Sequence, residues 1–447
     1  MDFARVSWAV AQTSIRERLV HDLGFLKDPI ARTVFTLGNL LQGSPSLRQR
    51  SGGLQLIMRL HSGAFSDQVD RRIAGVIREA MSQRNDRSLT ALYDRTISNA
   101  TDAFYRSNNP DPSRLIGSRI LVIKSHRPGE RGVLLVDYSY VFPLMAGLFD
   151  LETIADRYAL VLEPSWAGAC APEILLYQRV STPVFVETIE PRDRDFLAAL
   201  QTNIDVAPIG ANWWVDHRSS RPSSVSRDID VVMLASWSDI KRHWRFFKVI
   251  GQLRRRGHRL KVVLIGYPYD RTRSDIVAQA RYFGVADQVE VLEWLSKDEI
   301  AGWLSRSKVH VLWSRRECSN RAIIEAMLCD VPVIVRKGLT FGFEYPYINE
   351  HTGRFVPEEG LADALLDMIE NHKTYSPRDW VLNNMTCQHA TLILERRLRQ
   401  RAELAGEPWT RGLVVRTSTL TTQEYWNVED RTKFSDDYRF LESTRVR

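Results

Sequence analysis

The chain has 447 residues, 44% hydrophobic and 26% charged, a composition ordinary for a soluble globular protein and a length too great for one hydrophobic core. No apolar run approaches the ~20 residues needed to cross a bilayer, and the N-terminal MDFARVSWAVAQTSIRERLV interleaves charges where a signal peptide holds an unbroken apolar core, so a cytoplasmic protein is expected. The formal charge of +7 admits an anionic partner, but no long Lys/Arg tract or nucleic-acid-binding signature is present, so no specific nucleic-acid recognition is expected.

Residues 1–115 read as a helical N-terminal extension. Within it, FSDQVDRRIAGVIREAMSQ repeats Val69, Ile73, Val76, Ile77 and Ala80 at helical spacing, an apolar stripe opposite Asp70, Arg71 and Arg78. Such a helix packs on the protein's own body or, alternatively, contacts a membrane surface or a partner protein. From 116 to 217 the texture changes to short β-branched runs, ILVIK, GVLLVDY, YALVLEP and TPVFVETI, separated by segments able to hold helices. Alternating strands and helices imply a mostly parallel, Rossmann-like sheet. Residues 218–227, rich in Arg, Ser and Pro, lack an apolar period and read as a linker.

A second alternating series occupies 228–375, with strands at DVVMLAS, LKVVLIG, VEVLEWL, VHVLWS and VPVIV. This predicts a second doubly wound α/β domain. Over 376–447, Pro377 at a helix start and Gly406 at its stop frame a long terminal helix and a tail that pack back toward the N-terminal domain. Cys170, Cys318, Cys329 and Cys387 are far apart with no C-x-x-C pair, which argues against a zinc site or a disulfide framework.

The chemistry concentrates in SRRECSNRAIIEAMLCDVPVIV, Ser314 to Val335: strand, loop, helix, strand. In open α/β sheets ligands sit beyond the carboxyl ends of strands, where loops lead into helix N-termini and exposed N–H groups face anions. Ser319 or Asn320 can cap this helix. Glu317 therefore lies in the loop and Glu325 in the helix, so the two converge on an elongated ligand from different heights. Glu325 stands among Ile323, Ile324, Ala326, Met327 and Leu328, where a carboxylate needs hydrogen-bond donors from protein or ligand. An Arg321–Glu325 pair is one source, although in that order it is the weaker orientation and sets Arg321 at the positive end of the helix dipole unless an anion is bound there. A second basic loop, WSDIKRHWR, puts Lys241, Arg242 and His243 at another helix start. One phosphate-bearing ligand accounts for both.

In this context residues 228 to about 375 resemble the donor-binding half of family 4 (group 1) glycosyltransferases of the GT-B fold: the IKRH loop, Gly266 ending a strand, the E-x7-E element from Glu317 to Glu325, DVPVIV, then NEHTGRFV and LADALLDMIEN. The resemblance implies two Rossmann-like domains and a nucleoside diphosphate sugar donor, whose sugar passes to a glycan or glycoconjugate hydroxyl with retention of configuration, in bacterial polysaccharide synthesis. It implies that Lys241 neutralises phosphate, Glu317 contacts donor-sugar hydroxyls, Glu325 binds the ribose diol, and Cys318, Ser319 and Asn320 line the diphosphate, with Arg242 or Arg321 adding charge. It implies no cofactor and no catalytic metal. Two positions depart from the family pattern: Ser236 where an arginine is frequent, and Cys318 where a glycine is usual. They leave open a non-catalytic nucleotide-sugar-binding scaffold, beside an epimerase on the same fold. On the acceptor side the candidates are Pro164, Ser165 and Trp166, in a strand-end loop, and His126; Trp166 is equally readable as a sugar-stacking ring or a core residue.

Overall fold

The structure, a computed structural model, describes residues 8, 10–12, 15, 24–63, 67–82, 87–165, 168–339, 343–419 and 422–446. The chain divides into two compact units, one of Met1–Leu23 with Val215–Thr386, the other of Gly24–Trp214 with Cys387–Arg447.

The second of these begins with four helices, α1 (Gly24–Gln42), α2 (Leu47–Gly63), α3 (Asp67–Ser82) and α4 (Arg87–Tyr105). On α3 the predicted stripe is buried at Val69, Ile73, Ile77 and Ala80 in the core that the helices share with the first sheet, and Val76, half-buried, packs against the same core, so this helix packs on its own body. That sheet runs β1 (Ile120–Lys124), β2 (Gly132–Asp137), β3 (Tyr158–Glu163), β4 (Val184–Glu187) and β5 (Ile204–Ala207), in that spatial order. From β2 to β5 the pairs are parallel, with α5 (Val141–Leu148) and α6 (Leu151–Arg157) crossing from β2 to β3, short helical turns over 172–179 from β3 to β4, and α7 (Pro191–Leu200) from β4 to β5. β1 differs: it is antiparallel to β2, because the turn around Gly129, held by reciprocal Arg127–Glu130 backbone bonds, is too short for a crossover. β5, only four residues with Asp205 among them, carried too weak a pattern to read beforehand.

The other unit is a six-stranded parallel sheet: β6 (Ile229–Leu234), β7 (Val262–Gly266), β8 (Val289–Glu293), β9 (Ser307–Leu312), β10 (Val333–Arg336) and β11 (Gly353–Val356). The order β11-β10-β9-β6-β7-β8 means that the chain steps outward from β6, then returns to build on its other side. Between and after the strands lie α8 (His243–Arg255), α9 (Arg273–Tyr282), α10 (Lys297–Ser305), α11 (Arg321–Leu328), α12 (Leu361–Asn371) and α13 (Pro377–Asn384). α9 and α10 start in capping boxes, Thr272 with Asp275 and Ser296 with Glu299. No helix or strand lies between Trp214 and Ile229. The two Rossmann-like α/β units, the helical N-terminal region and the C-terminal helices are the expected architecture.

The expected long terminal helix is instead two, α13 and α14 (Cys387–Leu404), broken at Met385–Thr386 where the chain leaves one unit for the other. α14 and the hairpin β12 (Arg416–Ser418) with β13 (Gln423–Tyr425) return to the first sheet. Leu398, Arg401 and Ala402 border a hollow with Ala159 and Phe185, and Arg401 pairs with Asp205 at 3.4 Å. The backbone of Val414 donates to Ile123 on the open edge of β1.

Candidate functional site

β6 and β9 are paired in space although 72 residues, 235–306, lie between them, and the crevice beyond such a pair is where an open α/β sheet takes its ligand. Gly266 ends the neighbouring β7 because a Cβ there would sit 2.0 Å from the Ala235 carbonyl and against the Trp237 ring. Arg315 N–H donates to the Ile240 carbonyl at 2.8 Å, tying the loop after β9 to the loop after β6.

That tie delivers Lys241 to Glu317, with Nζ 2.5 Å from Oε1 and both residues buried. Asn320 Nδ2 donates to Oε2 at 3.0 Å, while Asn320 Oδ1 accepts from Ile323 N–H at 3.2 Å. Asn320, rather than Ser319, is therefore the cap of α11, and the same side chain aims Glu317. Each of the two charges neutralises the other in a place that neither would occupy alone. Cys318, Ser319 and Arg321 are half-buried around the same turn, Cys318 Sγ lying 3.9 Å from Ser319 Oγ.

Glu325 lies in the second turn of α11. Among the described residues no hydrogen bond reaches its carboxylate and no ion pair with Arg321 forms, so the local pair is not what satisfies it. Burial pushes its carboxyl up from the ordinary value, against the pull of Arg321 and Lys297.

Arg242 is placed differently from the expectation. Its backbone is left-handed, φ +58°, which turns the guanidinium onto Glu358 at 2.7 and 3.1 Å, just ahead of α12. His243 is fully buried against Trp237 and burial holds its imidazole down at about 3, so it stays neutral at the start of α8. Of the three basic residues in this loop, Lys241 is the one that meets Glu317.

The acceptor-side candidates do not converge. Pro164 and Ser165 follow β3 at the carboxyl end of the first sheet, where Ser165 and Ser139 exchange backbone-to-hydroxyl hydrogen bonds at 3.0 and 3.1 Å. Because β1 runs antiparallel, His126 sits at the opposite end, its N–H donating to Asp437 at 3.2 Å. Trp166 lies outside the described residues.

Sequence reasoning passed over a second constellation at those carboxyl ends. Asp137, Glu163 and Glu187 close three adjacent strands on one face: Asp137 pairs with Glu163 in register, and Glu187 stands two residues beyond Phe185, the partner of Val161. All three are buried around Arg416, whose guanidinium bonds Glu163, lies 3.6 Å from Glu187 and stacks 3.9 Å over Trp214. Arg119 pairs with Asp137 at 3.0 Å. Burial, with Glu163 adding to it, pushes Asp137 up to about 7, and burial also raises Glu187. The signal was present as VLLVD, ALVLE and VFVE, three consecutive apolar runs each ending in an acid. Among the described residues no group of three or more His, Cys, Asp or Glu is arranged to hold a metal ion.

Residues 228–371 match the family model of Glycosyl transferases group 1. The matched group 1 segment runs from β6 to the end of α12 and contains Lys241, Glu317 and Glu325. No curated protein matches the chain. Among solved structures it is similar to TarM of S. aureus (15% identity, 60% of this chain and 54% of that one, TM-score 0.48), so the chain spans about half the length of TarM. It is also similar to sucrose-phosphate synthase from Thermosynechococcus elongatus (16% identity, 61% and 74%, TM-score 0.46) and to Anabaena HepE in complex with UDP (14% identity, 70% and 82%, TM-score 0.45).

Proposed function

We propose that the protein is a glycosyltransferase that moves a sugar from a nucleoside diphosphate sugar to a hydroxyl of a glycan or glycoconjugate with retention of configuration, on the cytoplasmic side of a bacterial polysaccharide pathway. The observation that carries the reading is Glu325: a half-buried carboxylate that no hydrogen bond reaches among the described residues, on the helix that follows the β9 loop, within the group 1 segment that also holds the buried Lys241–Glu317 pair. A vicinal diol offers a carboxylate two donors at once, and ribose is the diol that UDP-, GDP- and ADP-sugars carry. When the donor binds, Lys241 re-pairs with the diphosphate and Glu317 with sugar hydroxyls.

As the sugar–phosphate bond breaks, negative charge grows on the diphosphate and the sugar takes on oxocarbenium character. Lys241 and the N–H groups at the start of α11 are fixed charges and dipoles aimed at that growing charge, which is how such stabilisation lowers a barrier. The acceptor hydroxyl attacks the face the diphosphate leaves, and its proton passes to the departing phosphate oxygen. Lys241 and these dipoles supply the charge neutralisation, so transfer is expected to persist in chelator; complete loss of activity that added metal restores would refute this part.

The direct test is a thermal-shift series with UDP, GDP, ADP and their sugar conjugates on native protein and Glu325→Ala. One nucleotide series should raise the native melting temperature by mass action and leave the variant unmoved. No shift at millimolar ligand would sink the donor-site reading.

A further inference from the structure

α1 carries a surface that the proposed transfer reaction does not use. Its inner face is Ala31, Phe35 and Gly38, buried against α2, where Gly53 comes so close that a Cβ on it would lie 2.4 Å from the Gly38 carbonyl. Its outer face is Phe25, Pro29, Ile30, Thr33, Thr36, Leu37 and Leu40, all exposed. Phe25 is 73% exposed, Leu40 70%, Leu37 49% and Ile30 42%.

No charge interrupts that face. At 3.6 residues per turn Lys27, Asp28 and Arg32 fall on the flanks, and Arg32 is held there by Asp28 at 3.0 Å and by Gln68 of α3. The two threonines return their hydroxyls to the helix itself, Thr33 to the Pro29 carbonyl at 2.9 Å and Thr36 to that of Arg32 at 2.8 Å, and so present methyl groups outward. Water faces an apolar ridge along most of the 19-residue helix. Contiguous exposed patches of this kind mark binding surfaces.

The adjoining surface is cationic. Leu41, at the edge of the ridge, shares an open hollow of about 570 Å³ with Arg48, Gln49, Gln55 and Arg59 of α2 and its approach. From residue 24 to residue 63 the sequence holds five cations, Lys27, Arg32, Arg48, Arg50 and Arg59, against the single anion Asp28, a net of +4.

We propose that this face is the docking surface for an anionic lipid bilayer, with the α1 ridge at the acyl boundary and Arg48 and Arg59 among the headgroup phosphates. A helix with one apolar face, flanked by basic residues and lying in the interfacial plane, binds such a surface by area and by charge together. A second copy of the chain is the poorer occupant. A closed dimer would use the same patch on both subunits and so set two basic hollows against each other. The inference stands apart from the donor-site reading, and either can fail without the other.

The test is flotation of the full chain with phosphatidylcholine vesicles, with and without phosphatidylglycerol, beside sedimentation analysis without lipid. Native protein should float with phosphatidylglycerol vesicles and be released by salt. Leu37→Glu with Leu40→Glu should lower partitioning roughly tenfold or more, since two leucine side chains leave the acyl boundary. Arg48→Gln with Arg59→Gln should remove only the phosphatidylglycerol-dependent part. All four side chains lie outside the core, and an unchanged melting temperature verifies that each variant is folded. Failure of native protein to float overturns the proposal, as does lipid-independent dimerisation that the leucine variant abolishes.

Discussion

Lys241 and Glu317 illustrate how a site residue is read against its energetic cost. A buried pair adds little stability over an apolar one, but removing one member strands the other and costs about 3 kcal/mol or more. Lys241→Met should therefore destabilise the unit and also cut transfer by about 10²-fold, the loss typical of one fixed donor to a developing anion. Lys241→Met combined with Glu317→Gln separates the two effects: the double variant regains stability, since no charge is stranded and Asn320 keeps its partner, but stays inactive. Regained activity in the double variant would show that the lysine's role is confined to holding Glu317. The residue scale is also where the sequence was most informative. The meeting of Lys241 and Glu317 was legible because their order along the chain fixes which strand end each follows. The fate of Arg242 was hidden, because a left-handed φ at a non-glycine leaves no trace in composition.

Among the elements, the strand ends of the first sheet hold three carboxylates and two arginines in a space closed to water, so charge balance favours one bound proton. Asp137, raised to about 7, is the better-defined acid to test. Its folded state holds a proton that the unfolded chain has released above about pH 4, so this group's contribution is full below that pH and is lost as pH rises toward 7. Asp137→Asn should abolish that contribution. Between pH 4.5 and 7.5 the variant's stability, measured by urea unfolding, should rise with pH more steeply, or fall less, than that of native protein. Parallel profiles would mean that Asp137 is ionised throughout. Elements show why part of the fold escaped the sequence. The parallel strands β2 to β4 and β6 to β10 announce themselves by apolar runs, because both faces of a parallel sheet are buried. The direction of β1 depended on turn length, the break at Met385 fell inside a continuous helical pattern, and Arg416 belongs to the strand-end cluster through a contact 253 residues away from Glu163, which no local window contains.

For the whole molecule, the consequence is that sequence neighbours need not share a fate. Residues 361–386 end the unit holding the group 1 segment, whereas everything from Cys387 onward is packed with the first sheet through Leu394, Leu398, Arg416 and Tyr425. Each unit has a core of its own, one around Val133, Leu160 and Val184, the other around Val231, Leu264 and Val309. A ligand bound at the β6–β9 crevice stabilises only what unfolds with that crevice, by about 2.7 kcal/mol at a hundredfold excess over its Kd. Hydrogen exchange resolved by peptide reads this directly, since protected amides in a cooperative unit open together. With the stabilising nucleotide present, peptides from 229–371 should slow together. Those from 120–207 should not change, and those from 390–441 should follow them rather than their neighbours across Met385. Slowing of 390–441 in step with 229–371 would contradict the division at residue 386 and make the C-terminal segment part of the ligand-binding unit.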